Sequence, residues 1–473
     1  MLTFADVFEA LTGVRLPKAS LIISEASIDS RQVIPASLFF AFPGERVDGH
    51  DFIEDAFRHG AQAAVIQKDV PCSYPSIDLR GEPPSAGFIL PEPPFLLRVE
   101  DSIQALQRIA HFWRRKQNVR VIGVTGSVGK STTKELIAEV LSQRYHTLKN
   151  QGNLNNEIGL ALTLLRLGAG HQRAVLEMGF YVPGEITFLC DLALPSVGVV
   201  TNVGTVHAER AGSQENIARG KAELIEALPP APDGVAILNY DDPWVRSMAQ
   251  KTRAQVFFYG LDPVADLWAD EIESMGLEGI RCQLHYGSES IHLTVPLIGQ
   301  HSVHTLLRAT AVGLVEGLTW EEIVTGLQQS HSQLRLVAVH SECGALLLDD
   351  TYNASPESTL AALNLLSELE GRRIAVLGDM LELGQYEQSG HELVGVRAAD
   401  VCSELVVVGE RGRLIGAAAL SAGMREWSVK PVDTVPEAIE YLRNHLQPGD
   451  VVLVKGSHSL RMDRIVTALE VIE

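Results

Sequence analysis

Ten residues constrain this chain more than any others: GVTGSVGKST, from Gly123 to Thr132. They follow an almost unbroken apolar run, RVIGVT at 120–125. They precede a stretch in which Leu136, Ile137, Val140 and Leu141 share one helical face. A short continuous apolar run reads as a strand covered on both faces of a parallel sheet, and the spacing beyond it is that of a helix packed on one side. A strand, a glycine-rich turn and a helix make a site for phosphate. The glycines let backbone amides turn into one concavity, and the helix amino terminus adds its positive dipole end. The nucleotide-binding candidates are therefore Gly126, Ser127, Val128, Gly129, Lys130, Ser131 and Thr132. Lys130 is placed to reach the terminal phosphates and the Ser131 hydroxyl to ligate magnesium. The strict GxxxxGK[ST] spacing is not met, because Val124 stands where its first glycine belongs.

Around this turn the pattern alternates. Strand-like runs recur at 174–178, 197–203 and 234–240 with helical stretches between them, which predicts a doubly wound α/β domain. A second series begins near residue 345, with apolar runs at 346–351, 373–380, 404–409 and 451–457. It predicts a Rossmann-like domain without a GxGxxG. Residues 71–95 are dense in proline and glycine and read as a long loop. After them Ser102 is the expected cap of a helix whose apolar face carries Ile103, Leu106, Ala110 and Trp113. The expected organisation is three α/β domains, at 1–98, 99–331 and 332–473.

Charge and cysteine content narrow the function. With 39 lysines and arginines against 59 aspartates and glutamates, the formal charge is −20. So acidic a chain is a poor binder of nucleic acid or of an anionic membrane, since phosphate contacts need cations. Any phosphate must be held by a local device. The five cysteines are scattered and form no CxxC, which fits free thiols in a reducing compartment. No signal peptide or membrane-spanning run is evident. A cytoplasmic protein is expected.

Three further side chains stand at strand ends or in helices near the turn. Glu177 closes the run AVLEM, at the sheet edge where ligands collect in open α/β folds. Read alone, it is either a magnesium-holding carboxylate or a salt-bridged acid. His207, just past VGVVTNV, is by itself either a ligand or a satisfied loop histidine. Lys221, in IARGKAELIE, reads alone as a solvated helix lysine.

The turn resembles the TG-x-x-GK-[ST]-T loop of Mur ligases and folylpolyglutamate synthetases. Five other segments resemble Mur ligases, and specifically the branch that adds a D-alanyl-D-alanine dipeptide: SIDSRQVIPASLFFAFPGERVDGHDFI (27–53), NQGNLNNEIGLALTLLRL (150–167), LLLDDTYNASPESTLAAL (346–363), LGDMLELG (377–384) and LVKGSHS (453–459). The resemblance implies an amino-terminal substrate domain, a central ATPase domain and a carboxy-terminal Rossmann-like domain. It also implies the reaction. A carboxylate of UDP-N-acetylmuramoyl-tripeptide attacks the γ-phosphate of ATP, and the amine of D-alanyl-D-alanine then displaces inorganic phosphate from the acyl phosphate.

Residue roles follow from the same resemblance. Lys130, Glu177, His207 and Lys221 correspond to the catalytic set, and Ser131, Glu177, His207 and Lys221 to the ligands of two Mg²⁺. Lys221 corresponds to a lysine that carries a carbamate. Arg335 and Asp350 correspond to residues that reach ATP from the carboxy-terminal domain, and Asn353, Lys455 and Ser457 to the dipeptide site. Ser30, Arg31, Gly49, His50 and Asp51 match the uridine-side motifs; Asn153, Asn155 and Asn156 match the run near the muramoyl peptide. The family's adenine-side pattern G-x-H-N-x-x-N reads here Gly299-Gln300-His301-Ser302-Val303-His304-Thr305, with both asparagines replaced. Its PGR reads QLR at 333–335, and the arginine of KGSR is His458. The competing readings are a sibling ligase that adds a single amino acid, a folate polyglutamate ligase, and a non-catalytic nucleotide-binding regulator. A monomer is expected.

Overall fold

The structure is a computed structural model and describes residues 1–473 other than 45–46, 72, 83, 86, 330–336 and 472–473. The chain divides into two units. One comprises Met1–Gly123, Tyr145–Gly179 and Ile186–Val197; the other comprises Val124–Arg144, Phe180–Glu185 and Gly198–Glu473.

In the first unit five strands pair in parallel, in the order Ala26–Ser27, Leu38–Phe40, Ala63–Ile66, Phe95–Arg98, Ser76–Asp78. Leu38–Phe40 and Ala63–Ile66 are buried at every residue, as strands covered on both faces must be. On one face Phe39, Ala64 and Ile66 pack against Ile53 and Phe57. The region expected to be all loop thus carries the strand Ser76–Asp78. Only Ile77 of that strand turns inward, and three residues are too few to show a period. The helix Ser102–Lys116 also differs in detail. Asp101, not Ser102, is its cap, with Oδ1 accepting from the amides of Ile103 and Gln104 at 2.8 and 2.9 Å. The buried face runs through Ala105, Leu106, Ile109, Ala110 and Trp113, and Ile103 is only half-buried. Farther along, Arg173–Glu177 pairs in parallel with Thr147–Lys149 and ends at Glu177.

The second unit carries the phosphate-loop helix, Lys130–Ser142, against which the helices Val303–Val315 and Trp320–Gln328 pack. A methyl group built on Gly326 would lie 2.6 Å from Val140 Cα, so only glycine permits this approach. The strands Val235–Asn239, Gln255–Gly260 and Leu267–Ser274 run parallel, followed by antiparallel Ile280–Tyr286 and Glu289–Val295. That antiparallel extension goes beyond the alternating pattern read from the sequence.

Six more strands follow in the order Val337–His340, Leu346–Asp349, Val451–Lys455, Arg373–Gly378, Glu404–Val408, Val429–Val432. All neighbours are parallel except at the first edge. Alternate side chains face opposite layers. Leu347, Val376, Val406 and Val452 meet Leu442, Ile465 and Leu469, while Ala375, Leu377, Leu405 and Leu453 meet Leu363, Val394 and Ile415. Helices on both faces make this sheet doubly wound, the α/β architecture expected. Among the described residues, four cysteines are free thiols and no helix is long and apolar enough to cross a membrane. Cys72 lies outside the described residues.

Candidate functional site

The glycine-rich turn in the second unit is held from behind. Gly126 has φ +148°, and a methyl group on it would meet Thr201 Oγ1 at 1.8 Å, so no other residue fits. Ser127 and Val128 donate their amides to Asn202, at 3.0 Å to its carbonyl and 2.9 Å to its Oδ1. Thr201 Oγ1 donates to Val128 O at 2.7 Å and Gly204 N donates to Ser127 Oγ at 2.8 Å. Asn202 therefore occupies two of the amides expected to face phosphate. The first-turn amides of the helix, which have no intrahelical acceptor, are left to provide the anion site. Gly129, at φ +82°, starts that helix. The Lys130 ammonium folds back on the turn, donating to Gly126 O at 2.9 Å and Ser127 O at 3.2 Å.

His207 sits at φ +69°, an unusual backbone state for a side chain of this size. Its Nδ1 lies 2.6 Å from Glu382 Oε2, and Glu382 is itself at φ +63°. The two strained residues hold each other. Tyr181 closes over the imidazole edge-on at 4.9 Å. Burial, followed by the nearby Lys130 charge, holds the imidazole down to about 4, against the upward pull of Glu382. A neutral ring that donates Nδ1–H to a carboxylate presents the Nε2 lone pair on its far side.

Lys221 is not the solvated lysine that its local sequence suggests. It is 1% exposed, on the helix Gln214–Glu226. Its ammonium stands 4.8 Å over the Phe180 ring and has no hydrogen-bond acceptor among the described residues. Phe180 can reach this place only because residue 220 is glycine; a methyl group there would come within 1.9 Å of the ring. Burial, reinforced by the Lys130 charge, pushes the Lys221 amine well below the ordinary lysine range. That favours the neutral, nucleophilic form.

Other residues of the second unit complete the picture. Glu357 Oε1 accepts from Thr205 N at 3.0 Å and from Thr205 Oγ1 at 3.2 Å, while its Oε2 is buried without a partner. Lys455, 2% exposed, donates to Asp350 Oδ2 at 2.6 Å and Asn353 O at 2.9 Å. The ammonium expected at the dipeptide site is thus engaged inside the chain. Ser457 Oγ accepts from Leu381 N at 2.9 Å, and Asn353 is exposed. Arg335 lies outside the described residues. Ser131 and Thr132 open the loop helix, as expected.

In the first unit, Glu177 is buried and accepts from Asn155 Nδ2 at 2.9 Å. Asn150 braces the same strand end, accepting from Glu177 N at 2.9 Å and donating to Glu177 O at 3.1 Å. Asn156 Oδ1 accepts from Gly159 N at 2.8 Å, at the start of the helix Gly159–Leu165, and Asn153 is exposed. Ser30 Oγ donates to Asp55 at 2.8 Å, and the exposed Arg31 forks onto Asp29 at 2.9 and 2.7 Å. His50 is buried with both ring nitrogens engaged, Nδ1 with Asp48 at 2.6 Å and Nε2 accepting from Gln67 N at 3.2 Å. It braces the loop and has no nitrogen left for a ligand. Gly49 fits because a methyl group would strike Phe42 N at 2.7 Å; Asp51 is exposed.

Sequence reasoning missed Glu382, Glu357 and Asn150. All three lie inside quoted motifs, but nothing in their local spacing says which distant residue each meets. Among the described residues, no three His, Cys, Asp or Glu side chains gather as a metal site.

A glycine-rich strand–turn–helix, a lysine at its lip and a desolvated lysine beside an oriented histidine define a nucleotide-binding α/β protein of the phosphate-loop class. Residues 124–313 match the Mur ligase middle domain, 334–458 the Mur ligase glutamate ligase domain, and 22–84 the Mur ligase family catalytic domain. The chain belongs to the Mur ligase family. It is 36% identical over 451 residues to the UDP-N-acetylmuramoyl-tripeptide--D-alanyl-D-alanine ligase of Synechocystis, covering 94% of this chain and 92% of that one. The Escherichia coli protein of the same name is 31% identical over 473 residues, with 99% and 98% covered. Among solved structures, MurF from Acinetobacter baumannii superposes with a TM-score of 0.83 at 30% identity, covering 98% and 97%. MurF ligase from Thermotoga maritima in complex with ADP gives 0.77 at 27% identity, covering 94% and 96%.

Proposed function

We propose that this protein is the ATP-dependent ligase that joins D-alanyl-D-alanine to UDP-N-acetylmuramoyl-tripeptide in peptidoglycan precursor synthesis. The observation that carries this reading is the desolvated Lys221 in the same unit as the phosphate turn and the Glu382-oriented His207, in a chain similar along nearly its whole length to ligases of that name. ATP docks its phosphates on the turn Gly126–Thr132. The substrate carboxylate attacks the γ-phosphorus, ADP leaves, and an acyl phosphate forms. The neutral dipeptide amine then attacks the acyl carbon, phosphate departs, and the amine proton passes to solvent. Lys130 offsets negative charge as it develops on the transferring group.

Lys221 fits a carbamate. A buried amine without an acceptor is held neutral, the form that reacts with CO₂, and the Lys130 cation favours the anionic product. Magnesium, when bound, neutralises phosphoryl oxygens. Ser131, His207 through Nε2 and the carbamate of Lys221 are the residues of the second unit that would hold it. Glu177 keeps the metal role implied by the family resemblance, steadied by Asn155. Asp350 serves the nucleotide, and Lys455 acts by fixing Asp350 and the Asn353 loop. In this reading Arg335, Asn353 and Ser457 retain the roles the resemblance implies, as do the uridine-side Ser30, Arg31, Gly49 and Asp51 and the peptide-side Asn153 and Asn156. We place the domains at 1–98, 99–331 and 332–473, in a cytoplasmic monomer.

The test is phosphate release with ATP and Mg²⁺ against a panel of UDP-muramoyl peptides and amines. The tripeptide with D-alanyl-D-alanine should be the fastest pair. A faster reaction of a single amino acid with the dipeptide precursor reassigns the protein to its sibling. No phosphate release with any pair, in a protein that binds ATP, makes it a regulator.

A further inference from the structure

Arg308 has no part in the reading above. It lies on the helix Val303–Val315 of the second unit and is 4% exposed, a depth at which arginine is normally paired with an acid. Among the described residues, no carboxylate pairs with it. Its Nη2 donates to Thr305 Oγ1 at 2.7 Å, the Tyr259 ring lies 6.0 Å from the guanidinium carbon, and Nε is buried without an acceptor. Two acids whose charges act on the same Tyr259 are committed elsewhere. Asp241 accepts from His304 at 2.8 Å and Leu261 N at 2.9 Å. Asp242 accepts from Trp244 N at 2.9 Å and Val203 N at 2.8 Å.

The guanidinium borders the phosphate turn. A methyl group built on Gly129 would lie 3.4 Å from Arg308 Nη2. A buried cation without a counter-charge, set against a turn built to hold an anion, is completed by that anion. The neighbouring sequence supports the same conclusion. The asparagines expected at 302 and 305 are serine and threonine here. Ser302 Oγ donates to Ile298 O at 2.7 Å and Thr305 Oγ1 accepts from Arg308, so both hydroxyls are engaged within the chain. Arg308 stands three residues after Thr305, on the same helix face.

We propose that Arg308 is a nucleotide-contacting residue, whose guanidinium pairs with a phosphate oxygen of ATP or ADP beside Gly129 and supplies binding that Ser302 and Thr305 do not. The inference rests on the reading of the turn as an ATP site. It is tested by titrating the full-length protein and its R308A, R308Q and R308K variants with ADP, inorganic tripolyphosphate and adenosine, with circular dichroism as the check on folding. In R308A and R308Q the Kd for ADP and for tripolyphosphate should rise at least about tenfold. R308K should lose less, and adenosine should bind all four proteins equally. An unchanged ADP Kd in folded R308Q overturns the proposal, as does an equal loss for adenosine, which would mark a purely structural arginine. If R308A does not fold, R308Q against R308K gives the same discrimination. Wild-type protein that fails to bind ADP removes the ATP reading itself, and this inference with it.

Discussion

Lys455 Nζ lies 2.6 Å from Asp350 Oδ2, where the parallel strands Leu346–Asp349 and Val451–Lys455 end side by side. The lysine is 2% exposed and Asp350 half-buried, and the same ammonium ties down Asn353 through its carbonyl. Removing one member of a fully buried pair costs on the order of 3–5 kcal/mol, an upper bound here because the stranded Asp350 is partly exposed. Lys455→Met should therefore lower the urea midpoint sharply. Adding Asp350→Asn should recover much of the loss while leaving activity low, because Asp350 is assigned to the nucleotide. Urea titrations of the two variants check this, and a stable Lys455→Met protein argues against the pair.

Lys130 is the cation at the lip of the turn. Lys130→Ala should cut phosphate release by roughly 10²–10³-fold or more, the scale expected when a charge-stabilising donor is lost. The melting temperature should stay close to wild type, since the carbonyls this lysine bonds, Gly126 O and Ser127 O, belong to its own turn. Near-normal turnover by the folded variant counts against the site.

Lys221 yields a spectroscopic prediction. Protein equilibrated with ¹³C-bicarbonate should show a carbamate carbon signal that disappears in Lys221→Ala. That variant should be inactive and regain some turnover with short carboxylates, which can occupy the vacated space. A bare ammonium in an electron-density map of active protein rules the carbamate out.

His391 gives the pH dependence. It is fully buried; Nε2 accepts from Met380 N at 3.1 Å and Nδ1 donates to Glu387 O at 2.6 Å, so the ring is neutral in the fold. Burial pushes its pKa below the ordinary value of 6.5. Between the folded pKa and about 6.5, the unfolded chain binds more protons, so stability rises with pH across that window. The contribution is complete above about 6.5 and is lost as the pH falls. Melting temperatures should drop between pH 7 and pH 5.5, and His391→Gln should show a shallower drop. Equal slopes for the two proteins remove His391 as the cause.

The sequence by itself determined the elements whose signal is local. Buried parallel strands are continuous apolar runs, so Arg120–Thr125, Val235–Asn239 and Val451–Lys455 were legible to within a residue or two. The phosphate turn was legible because its chemistry sits in ten consecutive residues. Partly exposed strands such as Leu267–Ser274, with a bulge between Asp270 and Glu273, carry no such run and went unread. Partnerships across long stretches of chain were decided only by the tertiary structure. It pairs Glu382 with His207 across 175 residues, gives Thr205 to Glu357 across 152 and Lys455 to Asp350 across 105. Burial was decided there too. Lys221 and His50 sit in polar stretches that suit a solvated surface, and only packing places them out of water. A side chain's dielectric surroundings depend on residues far away in sequence, and those surroundings set its charge, its reactivity and its need for a partner.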